Sequence, residues 1–326
     1  MIPEEKQVAV RRALQTAFRV DKFEGAERLT RGLSSAQIYR ITIGGRDYLL
    51  RVILRTDAIA DPTRQFACMR AAALAGIAPG VLYESVEDRV LISEFVVSQP
   101  FPTNMAERMA ATLRVLHRLP AFPKIMSYLE VMDGAVQRFL ASGLLMQEQM
   151  AAFRDGYERL KASYPHDEAD QVSCHNDLKP DNVIFDGQQI WLVDWEAAFL
   201  NDRYTELAVV SNFYLEEGKA EAYLQTYFGE TPGQRRLLKF YLMRQWMHCI
   251  YAAFFLTSSV RLGATLDVAM ELPEFREYHR RLVAFEVHLL DGQHQAEYGL
   301  LHLRKVIREM RTERFADAVT AMIAIS

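Results

Sequence analysis

The sequence predicts an α+β fold in two lobes, a small antiparallel-sheet lobe followed by a mainly helical one. Three observations carry that expectation. A length of 326 residues favours two domains or lobes over one core. Short β-type runs crowd the stretch before residue 97, whereas helical spacing dominates from Asn104 onward. Between them lies Ser98-Gln-Pro-Phe-Pro102, a proline-rich segment that marks a boundary and sets the lobes at 1–97 and 98–326.

The elements follow in order. Gln7 to Phe18 has the spacing of an opening amphipathic helix. Leu29 to Ile43 reads as two strands around a turn at Arg31-Gly32-Leu33-Ser34-Ser35, and Gly44-Gly45 turns the chain into a third strand, Asp47 to Leu54. Asp61 and Pro62 are start signals for a helix reaching Leu74, and Gly76 and Pro79 end it. Val81 to Ser85 and Arg89 to Phe95 form a hairpin turned at Glu87-Asp88. Asn104 with Glu107 has the form of a capping box ahead of a helix whose Met105, Met109, Leu113 and Leu116 line a core face. Val136 to Tyr164 reads as one or two helices, and the remainder from Thr231 to Ser326 reads as helices. Lys239, Arg244, Gln245 and His248 interrupt the apolar run Leu237 to Leu256, which makes it a buried helix and no membrane span.

Chemistry concentrates between Cys174 and Glu196. Asn182-Val-Ile-Phe and Ile190-Trp-Leu-Val are strand candidates joined at Asp186-Gly187, so Asn182 at the start and Asp194 at the end of the hairpin meet on one side. Asp177 lies five positions before Asn182 in a loop held by Pro180. Phosphoryl transfer needs a carboxylate to orient the attacking hydroxyl and hard oxygen ligands for Mg²⁺ across the phosphates. Asp177 suits the first task; Asn182 and Asp194 suit the second. The Asp177-to-Asn182 spacing is that of the protein-kinase loop H-R-D-x-x-x-x-N, with Asp194 where D-F-G supplies its Asp.

His175-Asn176-Asp177 with Asn182, followed by Asp194-Trp195-Glu196, resembles the aminoglycoside phosphotransferase and choline kinase superfamily of small-molecule kinases. The resemblance extends from about Leu29 to Phe254 and implies a protein-kinase-like fold with ATP and Mg²⁺ as cofactors. It implies that Ser34 and Ser35 lie in the phosphate loop, for which a plain hairpin turn is the alternative. Arg51 is the phosphate-binding cation, in the Leu-Leu-Arg context of choline kinase-like members; an exposed strand arginine is the alternative. Gln65 stands where the family places a Glu to pair with that cation, and a Gln cannot neutralise it. Glu94, Phe95 and Val96 fall at the hinge that binds the adenine edge, with Leu33 and Leu49 above the base and Ile184 and Val193 below. His175 would hold the catalytic loop through backbone hydrogen bonds, a general base competing with Asp177 being the alternative. Glu206 replaces the family's Asp before Leu-Ala. Trp246 and Tyr251 would box an ammonium group by cation–π contact, although an aromatic core explains each of them as well; Glu196, Asn212 and Tyr214 would sit on the acceptor side.

The implied function is ATP- and Mg²⁺-dependent phosphorylation of a small-molecule hydroxyl. Choline or a related amino alcohol is the first acceptor expected, an aminoglycoside the second. A regulatory nucleotide-binding pseudokinase is the alternative of another class, motivated by Gln65. A net charge of −4 supplies no field for nucleic acid. Three scattered cysteines, Cys68, Cys174 and Cys249, argue for reduced thiols and a cytoplasmic setting rather than disulfides. Cys174 beside His175 lacks a second pair at zinc-ligand spacing. Oligomeric state leaves no mark in the sequence.

Overall fold

The β-type runs before residue 97 form an antiparallel sheet in a computed structural model that describes residues 2–29, 36–57 and 60–325, with backbone alone at 147–149. Contacts divide the chain into two compact units: Met1–Pro123 with Val172–Leu200, and Lys124–Gln171 with Asn201–Ser326. This grouping follows packing and differs in kind from the 1–97 and 98–326 division, which rests on the proline-rich segment. It gathers α3 (Met105–Leu116) and the hairpin of β7 (Val183–Phe185) and β8 (Ile190–Leu192) with the sheet, and the Gln99 amide donates to the Phe185 carbonyl at 2.6 Å.

In the first unit, α1 spans Gln7–Phe18 and five strands follow: β1 (Gly25–Leu29), β2 (Ala36–Ile43), β3 (Arg46–Ile53), β4 (Val81–Ser85) and β5 (Val90–Glu94). They lie in the order β1-β2-β3-β5-β4, with every neighbouring pair antiparallel. Gly44 and Gly45, at φ of +58° and +70°, form the β2–β3 turn, a backbone that side chains with a Cβ rarely adopt. Leu50 and Val52 of β3 point into a core with Val10, Ala13 and Leu14 of α1. Ile53, on the opposite face, meets Phe66 of α2 (Thr63–Leu74). The strand period of two therefore sets Arg51 on the α2 side.

Two helix starts differ in detail from expectation. Pro62, not Asp61, takes the N-cap position of α2, while the Asp61 carboxylate still accepts from the Thr63 amide at 2.8 Å. The Asn104–Glu107 capping box does not form. Asn104 has φ −92° and ψ 33°, short of the extended backbone that aims a cap side chain at the first turn, and its Oδ1 accepts from Arg108 at 3.1 Å.

The second unit is helical: α4 (Tyr128–Ala141), α5 (Gln147–Ser163), α6 (Arg203–Tyr214), α7 (Ala220–Phe228), α8 (Gln234–Arg261), α9 (Phe275–Val283), α10 (Gly292–Met310) and α11 (Glu313–Ala324). The short strands β6 (Gln171–Cys174) and β9 (Phe199–Asp202), which lie where the chain passes from one unit to the other, pair with each other. α8 is its central helix and buries polar Lys239, Gln245 and His248 along with its apolar residues. α10 approaches so closely that a Cβ on Gly299 would come within 2.8 Å of Leu256 Cγ. Among the described residues no helix is long and apolar enough to cross a membrane.

Candidate active site

The loop from Cys174 to Asn182 is built by its own side chains. Asn176 takes φ +64°, a left-handed conformation that Asn tolerates better than most residues, and its Nδ2 donates to the carbonyls of Ala197 and Phe199 at 3.1 and 3.2 Å. His175 is fully buried beside the Trp195 ring, centroids 4.7 Å apart. Its Nδ1 accepts from the Asp177 amide at 3.3 Å, so Nε2 carries the proton and donates to the Val193 carbonyl at 2.9 Å. Both ring nitrogens are engaged in holding backbone, which leaves neither for a substrate proton.

Asp177 Oδ2 accepts from Asn182 Nδ2 at 2.7 Å and from Lys179 Nζ at 2.8 Å. Among the described residues no donor reaches Oδ1, and two-fifths of the Asp177 side chain is exposed (40%). Burial pulls the Lys179 ammonium down, but the charge and hydrogen bond of Asp177, with Asp194 and Asp181 beyond, hold it above its ordinary value. Asn182 is buried, donates also to the Asp177 carbonyl at 2.8 Å, and its own carbonyl accepts from Val193 at 3.0 Å. The last bond ties the loop to the far end of the hairpin. Asp186 closes the hairpin turn by accepting from the amides of Gln188 and Gln189 and from Trp191 Nε1.

Asp194 sits at φ +66°, a strained conformation for a residue with a Cβ and one that clusters at functional sites. Arg51 Nη2 bonds Asp194 Oδ1 at 3.0 Å and pairs with Glu196. Arg51 is buried, so the alternative of an exposed strand arginine does not hold. Gln65 is buried too, but Arg51 reaches these two acids instead. The preceding residue, Arg64, donates to the carbonyls of Glu196 (2.7 Å) and Ala198. Helix α2 thus holds the Asp194–Glu196 turn through a cation and not through an acid on Arg51. Arg64 was missed because the pattern there calls for an acid; its signal is a basic side chain in the first turn of α2, one residue from the expected partner.

Other expected residues are placed as follows. Ile184 and Val193 are half-buried on the hairpin, while Val183, Phe185 and Leu192 are core, so the pair shares the face a base could cover. The Glu94 amide donates to the Gly80 carbonyl at 2.8 Å and its carboxylate accepts from the Gly80 amide, so Glu94 has no backbone donor to spare for an adenine edge. Phe95 and Val96 are half-buried, Phe95 under the Arg40 guanidinium at 5.1 Å. The turn Arg31–Ser35, with Leu33, Ser34 and Ser35, lies outside the described residues.

In the second unit, Trp246 is 1% exposed and packs edge-on against Tyr157 and Tyr164. Tyr251 packs with Phe255, Tyr298 and His302. Five residues along an α-helix is about 140° of rotation, so the two rings face different neighbours and do not form the expected box. Tyr214 joins the apolar cluster of Phe213 and Tyr278, and Asn212 is fully buried, its carbonyl accepting from Arg276 at 2.8 Å.

Comparison with known proteins agrees with these motifs. The model of a phosphotransferase enzyme family, APH, matches residues 25–239. Protein LicA of Haemophilus influenzae is 34% identical over 59 residues, 18% of this chain, and the match spans 22% of the length of that relative. A choline/ethanolamine kinase family protein from Mesorhizobium loti is similar in structure over 98% of this chain and 99% of its own, with a TM-score of 0.65 at 19% identity. Choline kinase from Cryptosporidium parvum covers 98% and 97% at a TM-score of 0.60 and 12% identity. A streptomycin–ATP–APH(2")-IIa complex covers 78% and 91% at 0.55 and 14%. At such identities the structural likeness speaks for the α+β kinase-like fold, and the family match over residues 25–239 speaks for lineage: the chain belongs to the phosphotransferase enzyme family.

Proposed function

We propose that the protein is a small-molecule kinase that transfers phosphate from ATP, with Mg²⁺, to a hydroxyl group, and that choline or a related amino alcohol is its first acceptor class. The observation that carries this reading is a pair of hydrogen-bonded groups in one unit, Asp177 with Lys179 and Asn182, and Arg51 with Asp194, tied by the amide of Val193, next to Asp194, donating to the Asn182 carbonyl at 3.0 Å. The choline part rests on likeness to a choline/ethanolamine kinase family protein and to LicA.

Asp177 Oδ1 accepts the acceptor's O–H and takes its proton as the acceptor oxygen bonds the γ-phosphorus and the bond from that phosphorus to the bridging oxygen breaks, ADP leaving with the oxygen, while Asn182 and Lys179 keep Oδ2 fixed. The amide oxygen of Asn182 and the carboxylate of Asp194 are hard donors of the kind Mg²⁺ takes; the ion, when bound, offsets charge on the phosphates. Arg51 exchanges part of its bonding to Asp194 and Glu196 for a phosphate oxygen. Phe95 and Val96 with Ile184 and Val193 border the base, and Ser34 and Ser35 the phosphates. Glu196 stays with the acceptor side; the burial of Trp246 speaks for core, and Tyr214 and Tyr251 pack against the apolar cluster of the second unit. On this reading residues 1–97 hold nucleotide and 98–326 supply catalysis and acceptor binding. Reliance on ATP and three buried cysteines, none in a disulfide, fit a cytoplasmic setting.

The test is ADP release with Mg-ATP across choline, ethanolamine, homoserine, simple sugars and kanamycin-type aminoglycosides, with Asp177→Ala as control. Release that depends on one acceptor and is lost in the variant supports the proposal, and kanamycin as that acceptor moves the substrate class. Tight ATP binding with no acceptor-dependent release overturns it in favour of a regulatory nucleotide-binding protein.

A further inference from the structure

A cavity of about 520 Å³ lies within the second unit, walled by α7, α8, α10 and α11. Three cations reach it, Arg244 from α8, Lys305 from α10 and Arg314 from the start of α11. Arg314 is exposed and lies over the Tyr241 ring at 4.4 Å. Arg244 differs. Its Nε is buried without a hydrogen-bond partner, its guanidinium forms no ion pair among the described residues, and the ring of Phe240 lies 5.8 Å from its central carbon. Lys305 stands 3.9 Å from Glu309 Oε1, beyond hydrogen-bond length, and Glu309 also accepts weakly from Tyr241 at 3.4 Å. His248, fully buried, lines the same cavity with Nε2 unpartnered, its Nδ1 being 2.8 Å from Nδ1 of His302.

A guanidinium does not shed its proton, so Arg244 stays charged where it is poorly solvated. Burial lowers the proton affinity of both Arg244 and Lys305, with neighbouring cations adding to it and Glu309 and Glu217 opposing it. The fold therefore carries a cation that its own acids do not pair, and removing water from such a group is unfavourable unless a partner is supplied. Glu216, Glu217 and Glu221 also line the cavity, but they are exposed, and water and salt weaken their reach to the interior.

We propose that this cavity binds an oxyanion, the carboxylate or phosphate of a small molecule, through Arg244 and Lys305. The Arg fork meets two oxygens at once, and Lys305 adds a point charge. When His302 donates between the two Nδ1 atoms, His248 carries its proton on Nε2 and is a third donor. The rim carboxylates favour a ligand that bears an ammonium beside its oxyanion. The proposal concerns binding and holds independently of the kinase reading.

Calorimetry and thermal melting of the full chain with inorganic phosphate and, separately, L-serine test it, against sodium chloride at matched ionic strength. Saturable binding of at least one probe is expected, and which one decides between phosphate and carboxylate. Arg244→Met should weaken it at least tenfold yet melt, without ligand, no lower than the wild type, because a half-buried cation without an ion pair has gone. Lys305→Gln should weaken it severalfold and serves if Arg244→Met does not fold. Arg51→Ala should leave it unchanged, which separates this site from the nucleotide site. Failure of both probes to bind, unchanged binding in Arg244→Met, or loss in Arg51→Ala to the same degree overturns the proposal. Weaker binding accompanied by a lower melting temperature in both cavity variants also overturns it, by making the two cations structural.

Discussion

Mild acid should destabilise the helical unit, and the size of the effect follows from three buried histidines. His248, His279 and His302 are fully buried together, with ring centroids 4.9 Å apart for His248 and His302 and 5.9 Å for His279 and His302. Burial drives His248 and His302 well below the usual imidazole range and His279 down to about 3, and the nearby cations Arg244, Arg276 and Lys305 push the same way. In the unfolded chain each titrates near 6.5. The unfolded state therefore binds more protons below that pH, and stability falls as pH drops through 6.5. A group that stays neutral in the fold costs about 0.2 kcal/mol at pH 7 and about 1.4 kcal/mol at pH 5.5, so three lose up to about 4 kcal/mol between the two. Asp202 acts in the opposite sense: burial raises its carboxyl to about 6, and protonation in the fold returns about 0.8 kcal/mol over the same interval. The net loss is up to about 3 kcal/mol, a large part of the ~5–15 kcal/mol typical of a domain. Urea unfolding followed by far-ultraviolet circular dichroism at pH 7 and 5.5 measures it. His279→Gln should reduce the loss to about 2 kcal/mol. Equal stability at the two pH values, or an undiminished loss in that variant, refutes the reasoning.

Further perturbations separate the roles assigned above. Asp177→Asn should lower kcat by about 10²–10⁴ while ATP affinity, read by calorimetry, changes little; equal losses in both would make Asp177 a binding group. Asp194→Ala should remove the dependence of nucleotide binding on Mg²⁺ with the helical content intact. Arg64→Ala removes charge-assisted bonds to two carbonyls and should cost about 2 kcal/mol in the unfolding of the first unit and raise KM for ATP severalfold. Trp246→Ala should cost about 3–5 kcal/mol as a core deletion, with acceptor KM unchanged in the folded fraction; a raised KM at undiminished stability would return Trp246 to the acceptor site.

Much of this protein is legible without coordinates where the controlling distances are short along the chain. The Gly44-Gly45 turn, the β2–β3 and β7–β8 hairpins and the approach of Asn182 to Asp177 each depend on a few consecutive residues, and spacing alone determined them. The helices α1 and α2 were readable for the same reason, since apolar periodicity and start signals are local. What only the tertiary structure decided are contacts between segments far apart. Arg51 is more than 140 residues from Asp194 and Glu196, and the family resemblance assigned it to phosphate with Gln65 in the place of its partner. Trp246 and Tyr251 share an aromatic stretch in sequence but face different neighbours, because the twist of α8 separates them and Tyr157 and Tyr164 close over one of them. Arg244 reads as one more polar residue on a buried helix; its unpaired charge emerges only when α10 and α11 close the cavity and bring Lys305 and Glu309 without an ion pair to it. Hydrogen bonding within a turn is set by bond lengths and torsions of neighbours, whereas the partner of a buried charge is set by which helices pack together, and a single sequence does not encode that in any local pattern.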